Sequence, residues 1–298
     1  MDVSIIIINY NTTEMMRQCL QSVIDHTKQN SYELIIVDNA SSDRSIENLQ
    51  SDFEQATFIF NERNEGFGRA NNKGINIAKG KYVFLLNSDT WLLNDAVSIF
   101  WEFMEGPMGQ NAGCCGGDLL KPNGEKQVSY GNFPSLAEAF SVLGFYHLYK
   151  SYFRQHISSG VVNTDDQVKA VDYICGADMF IRKLVLDRTG AFDPDFFLYF
   201  EETELSYRIK KAGFKSFLLP LARIVHLEGA SQTNQLNFDK IKIYTRSRSL
   251  YFRKCYGRFH EFSMNVIYYL KAMAQYLVSF GKTEYLKTAR IVRTQDKL

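Results

Sequence analysis

The chain has 298 residues, of which 45% are hydrophobic and 22% charged, a composition typical of a globular protein with a substantial core. Its five cysteines are scattered without C-x-x-C spacing, which argues against a disulfide framework and against a structural zinc site. The sequence shows no signal-peptide pattern and no apolar run of the ~20 residues that a membrane-spanning helix needs. We therefore expect a cytoplasmic protein.

The first half of the chain predicts alternating strands and helices. The β-branched run VSIIIINY at 3–10 is typical of a strand buried on both faces of a parallel sheet. A helix N-capped by Asn11 is expected to follow it. Further strands are predicted at 32–43, 56–61 and 81–90, with a helix at 68–80. This order predicts an α/β fold with a doubly wound, mostly parallel sheet flanked by helices. The region 106–170 is interpreted as insertions around that sheet.

Polar side chains stand at the carboxyl end of every predicted strand, the edge where doubly wound sheets bind ligands. They are Asn9, Tyr10 and Asn11, then Asp38 and Asn39, then Asn61, and finally Asn87, Ser88 and Asp89. Each could instead form a turn, because Asn, Ser and Asp cap their own backbone. As a set they are better explained by a ligand. Neither a dinucleotide-binding G-x-G-x-x-G after the first strand nor a P-loop motif occurs in the sequence.

Several separate motifs occur in the order that is typical of one enzyme family. They are NYN, VDNASSD, NEGFGRANN and LLNSDT, followed by GADMFIRKLVLDRTGAFDPDFFLYFEETELSYRIKKAGF (176–214) and VHLEGAS (225–231). Over about residues 3–255 the chain resembles the family 2 glycosyltransferases of the GT-A fold, particularly their rhamnosyltransferase-like branch. The resemblance implies that fold, a nucleotide-sugar donor, a divalent cation and inverting chemistry.

The resemblance also implies a metal site. Asp89 corresponds to the last acid of the family's D-x-D motif, whose first acid is replaced here by Asn87, and His226 is the expected second ligand. A Mn²⁺ or Mg²⁺ ion at Asp89 and His226 would stabilise the charge of a diphosphate leaving group. The loss of one carboxylate predicts weaker metal binding that depends more on the nucleotide. A turn-capping Asp89 and a structural His226 are the alternatives.

The nucleotide is expected against the first two strand ends. Asp38 can accept a hydrogen bond from a pyrimidine N3–H, and the Tyr10 ring can stack on the base. Further candidates for nucleotide contacts are Asn9, Asn11, Phe67, Arg69, Asn72, Asn87 and Ser88. Each could also be a capping or core residue, and Phe67 taken alone is better explained by packing.

The stretch FFLYFEETELSYR supplies the acids for catalysis. The acceptor hydroxyl must lose a proton as it attacks, which requires a positioned base. The resemblance assigns Glu202 as this base, where the family usually has Asp, and Glu201 as the group that positions Glu202 or raises its pKa. Glu204 and Arg208 are predicted to form an i,i+4 salt bridge. The alternative is three solvated acids at the start of a helix.

Asp178 is predicted to contact the acceptor. It replaces a residue that is usually small and apolar in the family, so a local substitution without a role is the alternative.

Residues 240–298 carry 13 Lys and Arg but only three acidic residues, although the whole chain has a net charge of +1. We expect a catalytic domain at 1–239, with a nucleotide half at about 1–118 and an acceptor half at about 119–239. A basic amphipathic helical extension is expected at 240–298. The extension predicts either peripheral contact with the inner face of a membrane or a homodimer or packing contact. Nucleic acid is a poor fit because the rest of the chain is acidic and carries no nucleic-acid motif.

Together these features predict an inverting, metal-dependent glycosyltransferase of bacterial-type surface polysaccharide synthesis. Its expected donor is a nucleoside-diphosphate sugar, with UDP- and dTDP-sugars preferred, and its expected acceptor is a glycan or a lipid-linked sugar. A sugar nucleotidyltransferase is the alternative among enzymes. A catalytically inactive nucleotide-sugar-binding module is the alternative that Asn87 favours.

Overall fold

A computed structural model describes residues 1–42, 45–141, 143–227 and 238–294. The strands are β1 (Val3–Asn9), β2 (Tyr32–Asp38), β3 (Thr57–Phe60), β4 (Tyr82–Asn87), β5 (Thr90–Leu92), β6 (Ala112–Leu120), β7 (Val128–Gly131), β8 (Val161–Val162), β9 (Lys169–Val171), β10 (Tyr173–Ile174), β11 (Asp178–Arg182) and β12 (Lys215–His226). The helices are α1 (Thr13–His26), α2 (Ser45–Asp52), α3 (Phe67–Ile77), α4 (Ala96–Glu105), α5 (Leu136–Ser141), α6 (Lys150–His156), α7 (Lys183–Thr189), α8 (Glu201–Lys211), α9 (Phe238–Tyr256), α10 (Arg258–Val278) and α11 (Thr283–Thr294).

The central sheet has the strand order β3-β2-β1-β4-β11-β6-β12-β5, and β9 pairs with β12. The pairs from β3 to β4 are parallel, as is β6 with β12, whereas β11, β5 and β9 run antiparallel to their neighbours. The strands β7, β8 and β10 form a small second sheet. The predicted α/β fold is confirmed, with a parallel half (β3, β2, β1 and β4) and a mixed half.

The first strand is buried on both faces, as its β-branched sequence predicts. Ile5 and Ile7 pack in one core cluster with α1 and α4, and Ile6 packs in another with α3 and α8. All three side chains are inaccessible to solvent, and each contributes roughly 1.5–3 kcal/mol of hydrophobic free energy to folding. Strand register then aligns the polar ends, because Asn9 pairs with Asp38 and Ile8 with Asn87.

The interpretation of 106–170 as insertions around the sheet is wrong for β6 and, at the end of this region, for β9, because both strands belong to that sheet. The nine residues AGCCGGDLL form β6, a fully buried strand between β11 and β12. Its glycines permit close contact: a Cβ on Gly116 would lie 2.3 Å from the Ile174 side chain, and one on Gly117 would lie 2.4 Å from the Ala222 carbonyl oxygen. The tight fit with these neighbours explains why glycine, a poor strand former, stands in a central strand.

The helices α9, α10 and α11 follow the last strand of the central sheet in the chain. Leu250, Tyr251 and Phe252 of α9 form a third core cluster with Phe196 and Phe200, which lie just before α8. The extension therefore packs directly on the segment that leads into the acidic helix α8. None of the helices formed by the described residues combines the length and hydropathy that crossing a membrane requires. The domain boundaries given above stay a prediction.

Candidate active site

The carboxyl ends of β1 and β2 are tied together by the buried Asn9 side chain. Its Nδ2 donates to Asp38 Oδ1 at 2.8 Å and to Ser41 Oγ at 3.0 Å, and its Oδ1 accepts from the Thr12 backbone N–H at 3.2 Å. Asp38 Oδ2 accepts from the Ser41 backbone N–H at 3.1 Å. Asn9 thus uses its polar atoms to shape the edge, which is a different role from the predicted direct contact with a nucleotide.

Tyr10 and Asn11 follow β1 in the loop above this edge. The Tyr10 side chain is 45% exposed, so its ring is available for stacking. Asn11 adopts a left-handed backbone conformation with φ of 57°, which asparagine tolerates better than most residues. Its Oδ1 accepts from the Ser42 backbone N–H at 2.8 Å. The prediction of Asn11 as a helix N-cap is wrong: α1 begins at Thr13, and Asn11 bridges two loops instead.

The end of β4 brings Asp89 next to His226. Strand β5 follows the turn after β4 and pairs with the end of β12, with Thr90 opposite His226. This pairing places His226 Nε2 3.4 Å from Asp89 Oδ1. Both side chains are partly accessible, at 11% for His226 and 16% for Asp89. The pairing of β5 with β12 therefore holds the Asp89 carboxylate and the His226 imidazole in place, and part of each group stays open to solvent.

The donor set at Asp89 and His226 fits a divalent cation. A carboxylate oxygen beside an imidazole nitrogen suits Mn²⁺, and histidine is a borderline ligand for Mg²⁺. The described residues contain no cluster of three or more His, Cys, Asp or Glu side chains arranged to hold a metal. Two protein ligands are thus what the described part of the chain offers, and the remaining positions would fall to water and to a diphosphate.

Neighbouring polar groups fix the loop between β4 and β5. The Ser88 hydroxyl hydrogen-bonds the Thr12 hydroxyl at 2.7 Å, and the Asn87 backbone N–H donates to the Ala177 carbonyl oxygen at 3.0 Å. Gln127 Nε2 donates to the His226 carbonyl oxygen at 2.6 Å. Sequence reasoning missed Thr12 and Gln127, because neither stands in a motif that identifies its partner.

The acid pair opens α8 directly after two strained residues. Tyr199 and Phe200 have φ values of 71° and 68°, a conformation that bulky side chains rarely adopt and that is concentrated at functional sites. Glu201 is 3% exposed, and its Oε2 has no hydrogen-bond partner among the described residues. Burial, and then the adjacent Glu202, raises the pKa of Glu201 well above its ordinary value. Burial likewise raises the pKa of Glu202.

The burial and the hydrogen bonds of Glu201 and Glu204 decide whether the acids at the start of α8 are solvated or enclosed. Glu204 is also buried, at 4% exposure, and Arg208 Nε donates to its Oε1 at 2.7 Å, so the predicted salt bridge is confirmed. The alternative of three solvated acids is wrong, because two of the three are buried.

A short segment connects Glu202 to the strand-end edge. Ala177 accepts the hydrogen bond from Asn87, and the preceding Gly176 lies against Glu202, where an added Cβ would be 3.5 Å from the Glu202 Cγ. Glu201 points elsewhere, since a Cβ added to Gly68 of α3 would lie 3.8 Å from the Glu201 Cβ. The two acids therefore contact different neighbours, as expected for residues about 100° apart on a helix.

The NEGFGRANN motif has a structural role that the sequence did not reveal. Arg69 Nε donates to the Pro194 carbonyl oxygen at 2.6 Å. The Asn72 amide donates to the Phe192 carbonyl oxygen at 2.8 Å and accepts from the Phe192 N–H at 3.0 Å. The Phe67 ring packs edge-on against Phe192. These side chains hold the segment that leads into α8, so this geometry does not support the predicted contacts of Asn72 and Phe67 with a nucleotide.

Asp178 is buried in β11 with no accessible surface. Its Oδ2 accepts from the Gly117 N–H at 2.6 Å, and burial raises the pKa of Asp178 well above its ordinary value. The carboxyl group faces the β6 backbone within the sheet. The prediction that it contacts an acceptor therefore finds no support in this placement.

Residues 4–157 match the model of glycosyl transferase family 2, which is more than half of the chain. The protein is a member of glycosyltransferase family 2. The chain is 31% identical over 107 residues to an uncharacterized glycosyltransferase of Methanocaldococcus jannaschii. It is 32% identical over 108 residues to the poly(ribitol-phosphate) beta-glucosyltransferase of Bacillus spizizenii. Each match covers 35% of this chain, but 37% of the first relative and 17% of the second.

Solved glycosyltransferases share the fold along nearly the whole chain of this family 2 enzyme. GalNAc-T7 with UDP, GalNAc and Mn²⁺ superposes with a TM-score of 0.62 at 16% identity, covering 97% of this chain and 53% of that one. A mannosyltransferase from Pyrobaculum calidifontis with GDP-Man and Mn²⁺ gives a TM-score of 0.57 at 13% identity, covering 97% and 73%. These likenesses confirm the GT-A-like architecture.

Proposed function

We propose that this enzyme transfers one sugar, with inversion, from a nucleoside-diphosphate sugar to a glycan or lipid-linked acceptor. The observation that carries the proposal is the geometry around β4. Asp89 and His226 lie 3.4 Å apart at the strand-end edge, and a backbone hydrogen bond of Asn87 ties that edge to the segment that contacts Glu202. The short segment of Gly176 and Ala177 thus links the edge that would hold the leaving group to the acid that would act as base, which supports the proposed displacement reaction.

Each part of the site has its own task in this proposal. Asp89 and His226 would hold a divalent cation, which supplies positive charge to the diphosphate when bound. Tyr10 stacks on the base of the donor, and Asp38 accepts its N3–H, which favours UDP- and dTDP-sugars. Glu202 takes the proton of the attacking hydroxyl, and its raised pKa makes it a stronger base than an exposed carboxylate. Glu201 is the positioning residue beside it, and because burial and then Glu202 raise its own pKa, it favours the protonated form next to an ionised Glu202.

The alternatives can be weighed against the same geometry. Family membership argues against a sugar nucleotidyltransferase. Asn87 in place of an acid favours an inactive binding module, but burying the Glu201 carboxyl group without a partner for its Oε2 among the described residues costs stability, and a module without catalysis would have no use for it. A catalytic role explains that cost. A rhamnosyltransferase-like specificity and a place in bacterial-type surface polysaccharide synthesis remain part of the proposal.

We expect a thermal-shift panel of UDP-, dTDP- and GDP-sugars to raise the Tm with UDP- or dTDP-sugars, and only in the presence of Mn²⁺. A ligand at 100 times its Kd stabilises the folded state by about 2.7 kcal/mol, or very roughly 5–10 °C for a chain of this size. The positive donor should then release free nucleoside diphosphate on incubation with acceptor extracts. A panel in which no nucleotide sugar shifts the Tm would contradict the proposal, and binding without any release would favour the inactive module.

The outer face of the extension carries an apolar stripe that we propose rests on a membrane. It consists of Phe259, Phe262, Val266, Leu270, Leu277 and Val278 of α10, with exposures from 38% to 81%. Spacings of three, four and seven residues place most of these side chains on one face of the helix. Arg253, Arg258 and Arg293 line a cavity of about 660 Å³ that Phe262 and Val266 also line. Exposed apolar residues beside cations suit an anionic lipid surface, where each cation contributes roughly 1 kcal/mol.

Vesicle co-sedimentation should show binding to anionic liposomes, weak binding to neutral ones, and loss of binding at high salt. Replacing Phe259 and Phe262 together with serine should lower the partitioning by at least about tenfold, because two exposed rings no longer enter the interface. The matched control replaces Met108 and Leu221, which are 70% and 67% exposed and lie outside the extension. If both double variants bind alike, or if the protein sediments as a dimer that buries α10, the homodimer is the better account.

A further inference from the structure

A small cavity lies where α5, α9 and α10 meet, beside the acid pair. Its volume is about 80 Å³, and its lining includes Ser135, Glu138, Phe200, Tyr244, Arg248 and Tyr268. Phe200 immediately precedes Glu201, and its ring lies 5.2 Å from that of Tyr244. The cavity is thus close to the proposed base.

Arg248 is the unusual residue in this cavity. It is only 5% exposed, and its guanidinium lies 3.4 Å from the centre of the Tyr268 ring and 5.9 Å from that of Tyr244. Its Nε and Nη2 have no hydrogen-bond partner among the described residues. Burial lowers the pKa of Arg248, but a guanidinium stays charged in proteins. A buried charge with unsatisfied donors is costly, so a partner for it is expected.

The nearest acid in the cavity does not supply that partner. Glu138 Oε1 accepts from the Ser159 backbone N–H at 2.7 Å, and burial raises the pKa of Glu138. In the described part of the chain no ion pair joins Glu138 to Arg248, although both side chains line the same cavity. Arg248 is therefore held by Tyr268, and its Nε and Nη2 are left without an acceptor among the described residues.

We propose that this cavity binds an anionic group, phosphate or carboxylate, carried by the acceptor, and that Arg248 is its ligand. The inference rests on the proposed function, since it names the acceptor class of the same site. The cavity has walls from α5, α9 and α10 and includes none of the strand-end residues that would face the donor. Its position beside Phe200 would hold an acceptor so that a hydroxyl group reaches Glu202. Guanidinium groups pair well with phosphate and carboxylate because two parallel N–H bonds form.

The test is calorimetric titration of the full chain with two anionic probes and their neutral counterparts. The probes are geranyl phosphate against geraniol, and glucuronate against glucose, which separate a lipid-linked phosphate from an acidic sugar. Saturating UDP and Mn²⁺ fill the donor site, and the UDP titration itself reports whether the proposed function holds. The variants are Arg248→Met, Arg248→Lys and, as a matched control, Arg246→Met, which removes the same charge from an exposed position of the same helix.

We expect wild-type protein to bind one anionic probe at least about tenfold more tightly than its neutral counterpart. Arg248→Met should abolish this preference, Arg248→Lys should keep part of it, and Arg246→Met should keep it fully, with UDP affinity unchanged throughout. The inference is overturned if wild-type protein prefers neither anion while UDP binds. It is equally overturned if both methionine variants, or neither, lose the preference. A higher Tm of Arg248→Met with unchanged binding would also overturn it and would make Arg248 a packing residue.

Discussion

Replacing Asp89 with alanine is expected to lower kcat by about 10²–10³-fold or more, the loss typical of removing a group that stabilises charge in a transition state. Asp89 would supply the only carboxylate of the pair with His226, and Asn87 cannot replace it. The Mn²⁺-dependent part of UDP binding should disappear, while the Tm without ligand should change little, because Asp89 is not part of the core. Calorimetry with and without Mn²⁺, together with single-turnover kinetics, measures both effects.

Asp95 offers a control of the same residue type that has a purely structural task. Its Oδ1 caps α4 by accepting from the Ser98 backbone N–H at 3.0 Å. Replacing Asp95 with alanine should cost about 1 kcal/mol of folding free energy and leave turnover near the wild-type value. If Asp89→Ala instead behaves like Asp95→Ala, then Asp89 is a turn residue and the metal site is assigned wrongly.

Glu202→Gln should lower kcat by about 10²–10⁴-fold and leave the affinity for the donor intact, because it keeps the shape of the side chain and removes the proton acceptor. The base must be ionised to act, and burial raises its pKa. The wild-type rate should therefore rise with pH through that raised pKa, from a protonated inactive form to an ionised active one. This acid limb of the pH–rate profile should be absent in Glu202→Gln.

Replacing the neighbouring acid, Glu201, tests which of the two acids is the base and which is the positioning residue. Burial and then Glu202 raise the pKa of Glu201 well above its ordinary value, so Glu201 favours its protonated form and Glu201→Gln imitates that form; the acid limb should therefore stay in place, with a smaller loss of kcat. A larger loss in Glu201→Gln than in Glu202→Gln would reverse the two roles.

The parallel half of the fold could be predicted because its signals are local. An isoleucine run with no polar interruption has few alternatives to a strand buried on both faces, and the polar residues after each run mark where it ends. The register that aligns Asn9 with Asp38 follows from parallel pairing, so the site edge was predictable as well. Asp89 and His226 were paired only through the family resemblance, since 137 positions separate them in the sequence.

The rest depended on contacts that a sequence does not display. Strand β6 contains three glycines and has low β-propensity, and only the tight fit with Ile174 and Ala222 explains it. Arg69 and Asn72 carry polar groups suited to a nucleotide, yet their partners are backbone atoms more than 100 positions away. Asp178 has the chemistry of a binding residue, but the sheet buries it.

The bonds from Arg69 and Asn72 to the segment at 192–194 have a mechanical consequence. Helix α3 packs on β1 and β2, the strands that we expect to hold the nucleotide, and it also fixes the entrance to α8. A Cβ on Gly66 would lie 2.2 Å from the Phe197 carbonyl oxygen, so the two segments touch without room for a side chain. The strand ends proposed to hold the donor and the proposed base are thereby attached to one rigid frame. In the proposed mechanism, the distance between the anomeric carbon and Glu202 would then be set when the protein folds, rather than each time a substrate arrives.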